Sequence, residues 1–93
     1  MKIYDYEGKA NIIGPNLKKA RIDHKLSQDA LAAKMQLKNI EISQKVISRI
    51  EKQERFVADY ELLAFSDVLK LDLYELLGVI SSTNTDIDND FHQ

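Results

Sequence analysis

The dipeptide Ser-Gln occurs twice, at Ser27 in "SQDALAAKM" and at Ser43 in "SQKVISRIE", sixteen positions apart, and each time it opens an amphipathic stretch. No other feature constrains the fold as tightly. Serine is a preferred helix N-cap, so the pair predicts two consecutive helices with fixed starts, joined by a connection of about seven residues. The first turns Leu31 and Met35 inward at i and i+4, while Ala30, Ala32 and Ala33 are small enough to let a neighbour approach. The second has only a narrow apolar stripe, Ile47 and Ile50 with Val46 flanking. Gln44, Lys45, Ser48, Arg49 and Lys52 are left for water or for a partner. Such a helix touches the core on one side and is presented on the other.

The rest of the pattern is also helical. Pro15 suits the first position of an earlier helix, with Ile13 as a staple, Leu17 and Ala20 on one face and Leu26 closing the connection beyond. Between the two Ser-Gln helices, "QLKNIEI" is a connection whose Leu37, Ile40 and Ile42 are expected to pack inward. A fourth helix is predicted over roughly 59–70, with Asp59 and Glu61 at the positive end of its dipole and Leu62, Phe65 and Leu69 on its core face. Asp72 and Glu75 read as the capping box of a short fifth helix with Leu73, Leu76 and Leu77 inward and Gly78 as its stop. The fold class is therefore all-α, a compact bundle of five helices. Its expected organisation is an N-terminal arm over residues 1–11, a folded unit over residues 12–80 and an acidic, disordered tail over residues 81–93.

Charge divides along the chain. Residues 9–55 hold eleven Lys/Arg against five Asp/Glu, whereas residues 56–93 hold one Lys against eight Asp/Glu. A basic face draws polyanions locally even when, as here, the net charge is −2. There is no cysteine, which favours a reducing compartment, and no apolar run long enough for a membrane span, so a soluble cytoplasmic protein is expected. Nothing implies a cofactor, a metal or catalysis. His24 and His92 are isolated, the glycines at 8, 14 and 78 form no phosphate loop, and the alternating Asp86, Asp88 and Asp90 lack the Gly and distal Glu of a calcium loop.

The geometry of two capped helices, one bracing and one presented, suits a helix-turn-helix whose second helix enters the DNA major groove. Both helix N-termini offer backbone N–H groups to phosphate. In sequence, "IGPNLKKARIDHKLSQDALAAKMQL", "ISQKVISRIEKQER" and "DYELLAFSDVLKLDLYELLG" together resemble the lambda-repressor-like, Cro and XRE-type helix-turn-helix family, over about 12–80. The resemblance implies a lambda-repressor-like domain of five helices and a role in binding double-stranded DNA as a transcriptional regulator. Carried across position by position, it places Gln44, Lys45 and Arg49 on base edges and Gln28, Ser43 and Arg55 on phosphates. It also implies that Arg21 and Glu51 form a structural pair joining the first helix to the third. In chemical terms Arg49 suits guanine O6/N7, and Gln44 suits adenine.

The chain departs from that family in three places. The connection between the second and third helices is longer by several residues; Gln53 stands where a Gly commonly ends the third helix; and Val57-Ala58 replace a common Pro and Ser/Thr before the fourth. The resemblance leads to a repressor, and because one such helix reads too few base pairs for useful specificity the mechanism calls for a homodimer, with Tyr74, Leu77, Val79 and Ile80, and Ile3, Tyr4 and Tyr6 of the arm, as surplus apolar residues for an interface. With no room expected for a sensing domain, control falls to concentration, a partner or proteolysis. The alternative is a protein-interaction module, such as the antitoxin of a toxin–antitoxin pair or an adaptor, meeting a protein partner through the acidic C-terminal half.

Overall fold

The computed structural model describes residues 6–79, which contain five helices: α1 (Gly14–Asp23), α2 (Gln28–Gln36), α3 (Gln44–Glu51), α4 (Asp59–Leu69) and α5 (Leu73–Leu77). The expectations for Ile3, Tyr4, Ile80, His92 and the acidic tail lie outside the described residues. Both serines start helices by accepting a backbone N–H. Ser27 Oγ accepts from Ala30 at 2.9 Å, and Ser43 Oγ from Val46 at 3.2 Å. The other helices find substitutes. Asn11 Oδ1 accepts from the Gly14 N–H at 2.9 Å to start α1, and the Glu61 carboxylate reaches back to the Ala58 N–H at 3.0 Å to start α4. Asp72 caps α5 alone, through the Tyr74 N–H at 2.9 Å, without the reciprocal Glu75 bond that the spacing suggested.

All five helices stop in one way. Leu26, Ile40, Glu54, Leu71 and Val79 each donate a backbone N–H to a carbonyl five residues back, at 2.7–3.0 Å, and the residue before each lies in the left-handed region. This is the Schellman ending. Only Gly78 enters it without a Cβ to collide with the following carbonyl. Lys25, Asn39, Gln53 and Lys70 adopt φ between +50° and +64° despite their side chains. The left-handed conformation is thus kept after α3 without the Gly: Gln53 takes φ +64°.

The core is drawn from every helix: Leu17 of α1, Leu31 and Met35 of α2, Ile47 and Ile50 of α3, Phe65 and Leu69 of α4, and Leu76 of α5 are all buried. The long connection contributes to it through Ile42, which is buried, and Ile40, which is half-buried. Leu37 does not join them and is 85% exposed, against expectation. It still has helical backbone angles, φ −65° and ψ −18°, as the C-cap of α2. Two helical steps past the buried Met35 rotate it by about 200°, to the far side of the helix. The chain turns inward only after the left-handed step at Asn39. No helix among the described residues is long and apolar enough to cross a membrane.

Candidate nucleic-acid interface

α3 is held from behind at its C-terminal end. At its C-terminus, Asn11 donates to the carbonyls of Ile50 at 3.0 Å and Arg55 at 2.8 Å, while Ala10 N–H bonds to Gln53 O at 3.0 Å. α1 then lies so close that a Cβ on Gly14 would sit 2.6 Å from Ile50 O and 2.8 Å from Glu51 O. Gly14 is needed there for close approach. The segment before it makes a tight turn, with Tyr6 and Lys9 exchanging two backbone hydrogen bonds across Glu7 and Gly8.

Along α3's flank runs a chain of polar contacts. Arg21 Nε donates to Glu51 Oε2 at 2.6 Å and Nη2 to Oε1 at 3.2 Å, with the two side chains 11% and 4% exposed. Arg21 Nη1 also donates to Leu26 O at 2.7 Å, tying the same guanidinium to the connection between α1 and α2. Gln28 Nε2 donates to Glu51 Oε1 at 3.0 Å, and Gln44 Nε2 donates to Gln28 Oε1 at 2.7 Å. The repeated Ser-Gln pair therefore has a shared geometry: the two glutamines that follow the caps touch each other. A buried ion pair between α1 and α3 is connected, through Gln28, to an exposed side chain at the start of α3.

The outer face of α3 carries cations. Lys45 and Arg49 are exposed and pair with no carboxylate of the described residues. At about 100° per residue, Lys45, Arg49 and Lys52 fall within about 60° of arc, opposite Ile47 and Ile50. Val46 is half-buried and packs on the core. Ser43 is exposed and its Oγ accepts within the cap, which leaves its hydroxyl proton available as a donor.

Arg55 stands apart from this face. Its Nη1 donates to Glu61 Oε1 at 2.7 Å and to Phe56 O at 3.0 Å, and its guanidinium lies 5.4 Å from the centre of the Phe56 ring. The side chain is 25% exposed, so Arg55 fastens the start of α4 as well as facing solvent. Sequence reasoning missed three contributors: Asn11, the contact between the two glutamines, and the anchoring of the long connection by an ion pair between Lys38 and Asp67 of α4. The Lys38 ammonium holds the Asp67 carboxyl below its ordinary 3.8, first by hydrogen bonding and then by charge. A lone Asn before a Gly-Pro helix start was the one signal available for Asn11.

A family model described as helix-turn-helix matches residues 17–76, from within α1 to near the end of α5. No curated protein and no solved structure matches the chain.

Proposed function

The chain belongs to the XRE and lambda-repressor-like helix-turn-helix family of DNA-binding regulatory domains, and from that premise we propose that it is a sequence-specific repressor that inserts α3 in the major groove. The observation that carries the reading is the outer face of α3: Lys45 and Arg49 are exposed and unpaired beside a Gln44 already held in place. A helix serving only its core has no use for that arrangement. Gln44, Lys45 and Arg49 meet base edges. Gln28, through its second amide N–H, and Ser43, through its hydroxyl, meet phosphates at two helix N-termini. Arg55 adds a phosphate contact with the donors it does not spend on Glu61 and Phe56.

One α3 reads too few base pairs for useful specificity, so the proposed unit is a homodimer with half-sites ~34 Å apart. Its interface is the apolar groove lined by Tyr6, Ile12, Phe56, Val57, Leu62 and Leu77. The proposed division of the chain is an arm of residues 1–11, a DNA-binding unit of residues 12–80 and an acidic tail of residues 81–93. Ala10 and Asn11 tie the end of that arm to α3. A second reading, a protein-interaction module, is favoured by Tyr60, Leu63 and Tyr74, which are 53–62% exposed on the acidic half.

The test is an affinity selection from random duplex DNA at one fixed salt concentration, with wild type beside a Lys45→Ala, Arg49→Ala double variant. A two-fold-symmetric site enriched by wild type and lost in the variant is the expected result. Absence of any enriched site, with both proteins folded, would move the assignment to the interaction module.

A further inference from the structure

The turn that follows α3 is shaped by residues that precede α1. Gln53 takes φ +64°, a conformation its Cβ opposes, and Arg55 follows two residues later. Around this turn, Asn11 Nδ2 donates to Ile50 O at 3.0 Å and to Arg55 O at 2.8 Å. Asn11 O accepts from Gln53 Nε2 at 3.1 Å, and the Ala10 N–H reaches Gln53 O at 3.0 Å. Both hydrogens of the buried Asn11 amide are thus spent on main-chain carbonyls on either side of the turn. Its Oδ1 is held by the Gly14 N–H at 2.9 Å, so the amide cannot flip without setting N–H against N–H and oxygen against oxygen. Arg55 therefore projects from a backbone that is fixed at its own carbonyl. Its Nη1 serves Glu61 and Phe56 O, which leaves Nε and Nη2 as donors on a side chain 25% exposed.

We propose that Asn11 is a positioning residue for phosphate recognition: by holding the Arg55 carbonyl against the end of α3, it fixes where Arg55 meets the DNA backbone relative to the bases that α3 reads. The inference rests on the reading of α3 as the groove helix and of Arg55 as a phosphate contact. Phosphate contacts set register and orientation, so their distance from the reading helix has to be fixed. Ile50 belongs to the last turn of α3 and Arg55 lies beyond the turn, so one buried amide bonded to both carbonyls acts as the spacer between them. Glu61 steadies the guanidinium at 2.7 Å, but it comes from α4 and ties the side chain to a different helix. Without the Asn11 amide, the turn at Gln53 is free to relax from its left-handed conformation, and Arg55 shifts with it. Asn11 itself does not need to touch DNA for this.

The experiment is a double-variant cycle on DNA affinity, in which the site selected by wild type and a scrambled duplex are each titrated over a series of salt concentrations. The variants are Asn11→Ser, Arg55→Ala and the two together. A serine keeps an oxygen to accept from the Gly14 N–H, is too short to reach both carbonyls, and changes no charge. Asn11→Ser is expected to bind both duplexes roughly three- to tenfold more weakly and to lose about 0.9 from the salt slope, the share of one phosphate contact. Added to Arg55→Ala, it is expected to cost less than about twofold more, since both remove the same contact. Base preferences at the Lys45 and Arg49 positions are retained. Circular dichroism must show that Asn11→Ser is folded at the temperature used. Gln53→Met removes only the 3.1 Å bond to Asn11 O and carries the test if it is not, with a loss of about twofold or more that again does not add to Arg55→Ala.

An Asn11→Ser protein that is less stable but keeps the wild-type salt slope would overturn the proposal, because Asn11 would then serve the fold alone. Losses that simply add to those of Arg55→Ala overturn it as well, as does a Gln53→Met protein of unchanged affinity where that variant carries the test. An Arg55→Ala protein with the wild-type slope removes the contact that Asn11 is proposed to position. Failure of wild type to enrich any site takes down the groove reading of α3 and this inference with it, and it is seen before any variant is made, so the two failures are distinct.

Discussion

Replacing Arg21 by Met strands a charge, and the structure allows the consequence to be worked out. The substitution removes both donors to Glu51 and the 2.7 Å bond from Nη1 to Leu26 O. Glu51, with its side chain 4% exposed, is left with Gln28 as its donor. Breaking a buried pair from one side costs about 3–5 kcal/mol, because the remaining charge stays desolvated without compensation. Against a total of roughly 5–15 kcal/mol for a domain of this kind, that is enough to unfold a marginal one. The double variant Arg21→Met, Glu51→Leu removes the stranded charge and fills the space with apolar atoms. It is expected within about 1–2 kcal/mol of wild type, the residual loss being chiefly the unmet Leu26 carbonyl. Urea unfolding followed by far-ultraviolet circular dichroism, with matching slopes, measures both. A single variant that loses less than about 1 kcal/mol, or a double variant as unstable as the single, would refute the view that burial governs this pair. Affinity separates a second consequence: the stable double variant still lacks the anchor for Gln28 and Gln44, and is expected to read DNA with relaxed specificity.

Other outcomes follow from single contacts. Gly14→Ala sets a Cβ 2.6 Å from Ile50 O and is expected to destabilise by about 1–3 kcal/mol in thermal melting, since a backbone must move; an unchanged midpoint would contradict that close approach. Lys70→Gly relieves a left-handed residue at φ +50° and should stabilise by about 0.5–1 kcal/mol, whereas Gln53→Gly should gain less because the Gln53 side chain also donates to Asn11 O at 3.1 Å. Arg55→Ala is expected to flatten the salt dependence of DNA binding by roughly one unit for all sequences, and also to lower stability, because it releases buried Glu61. Equal stability would mean that the Arg55–Glu61 contact does not brace α4. Because Lys38 depresses the Asp67 carboxyl in the folded chain, its contribution is present above the ordinary 3.8 and is lost as pH falls through the lower folded value. Wild type and Asp67→Asn should accordingly converge in stability at low pH, and a gap that persists there contradicts the assignment.

The sequence by itself determined where the helices begin and which faces go inward. Ser27, Ser43 and Asp72 cap what they precede, and Leu31, Met35, Ile47, Phe65 and Leu76 are buried where the helical period places them. These signals are local: a cap needs a partner two or three residues away, and a stripe needs only the helical repeat. The exposed basic face of α3 was legible for the same reason, as residues left over from a narrow stripe. Tertiary structure alone decided the rest. Whether Leu37 packed inward depended on where α2 stopped turning, and the two glutamines met because packing brought the first residues of α2 and α3 within hydrogen-bond reach. Asn11 became the clasp of α3 through carbonyls 39 and 44 residues away. No propensity records such contacts, since their energy depends on which backbone groups the packed helices leave without partners. The same packing holds Lys25, Gln53 and Lys70 in the left-handed region, where their own preferences would not take them.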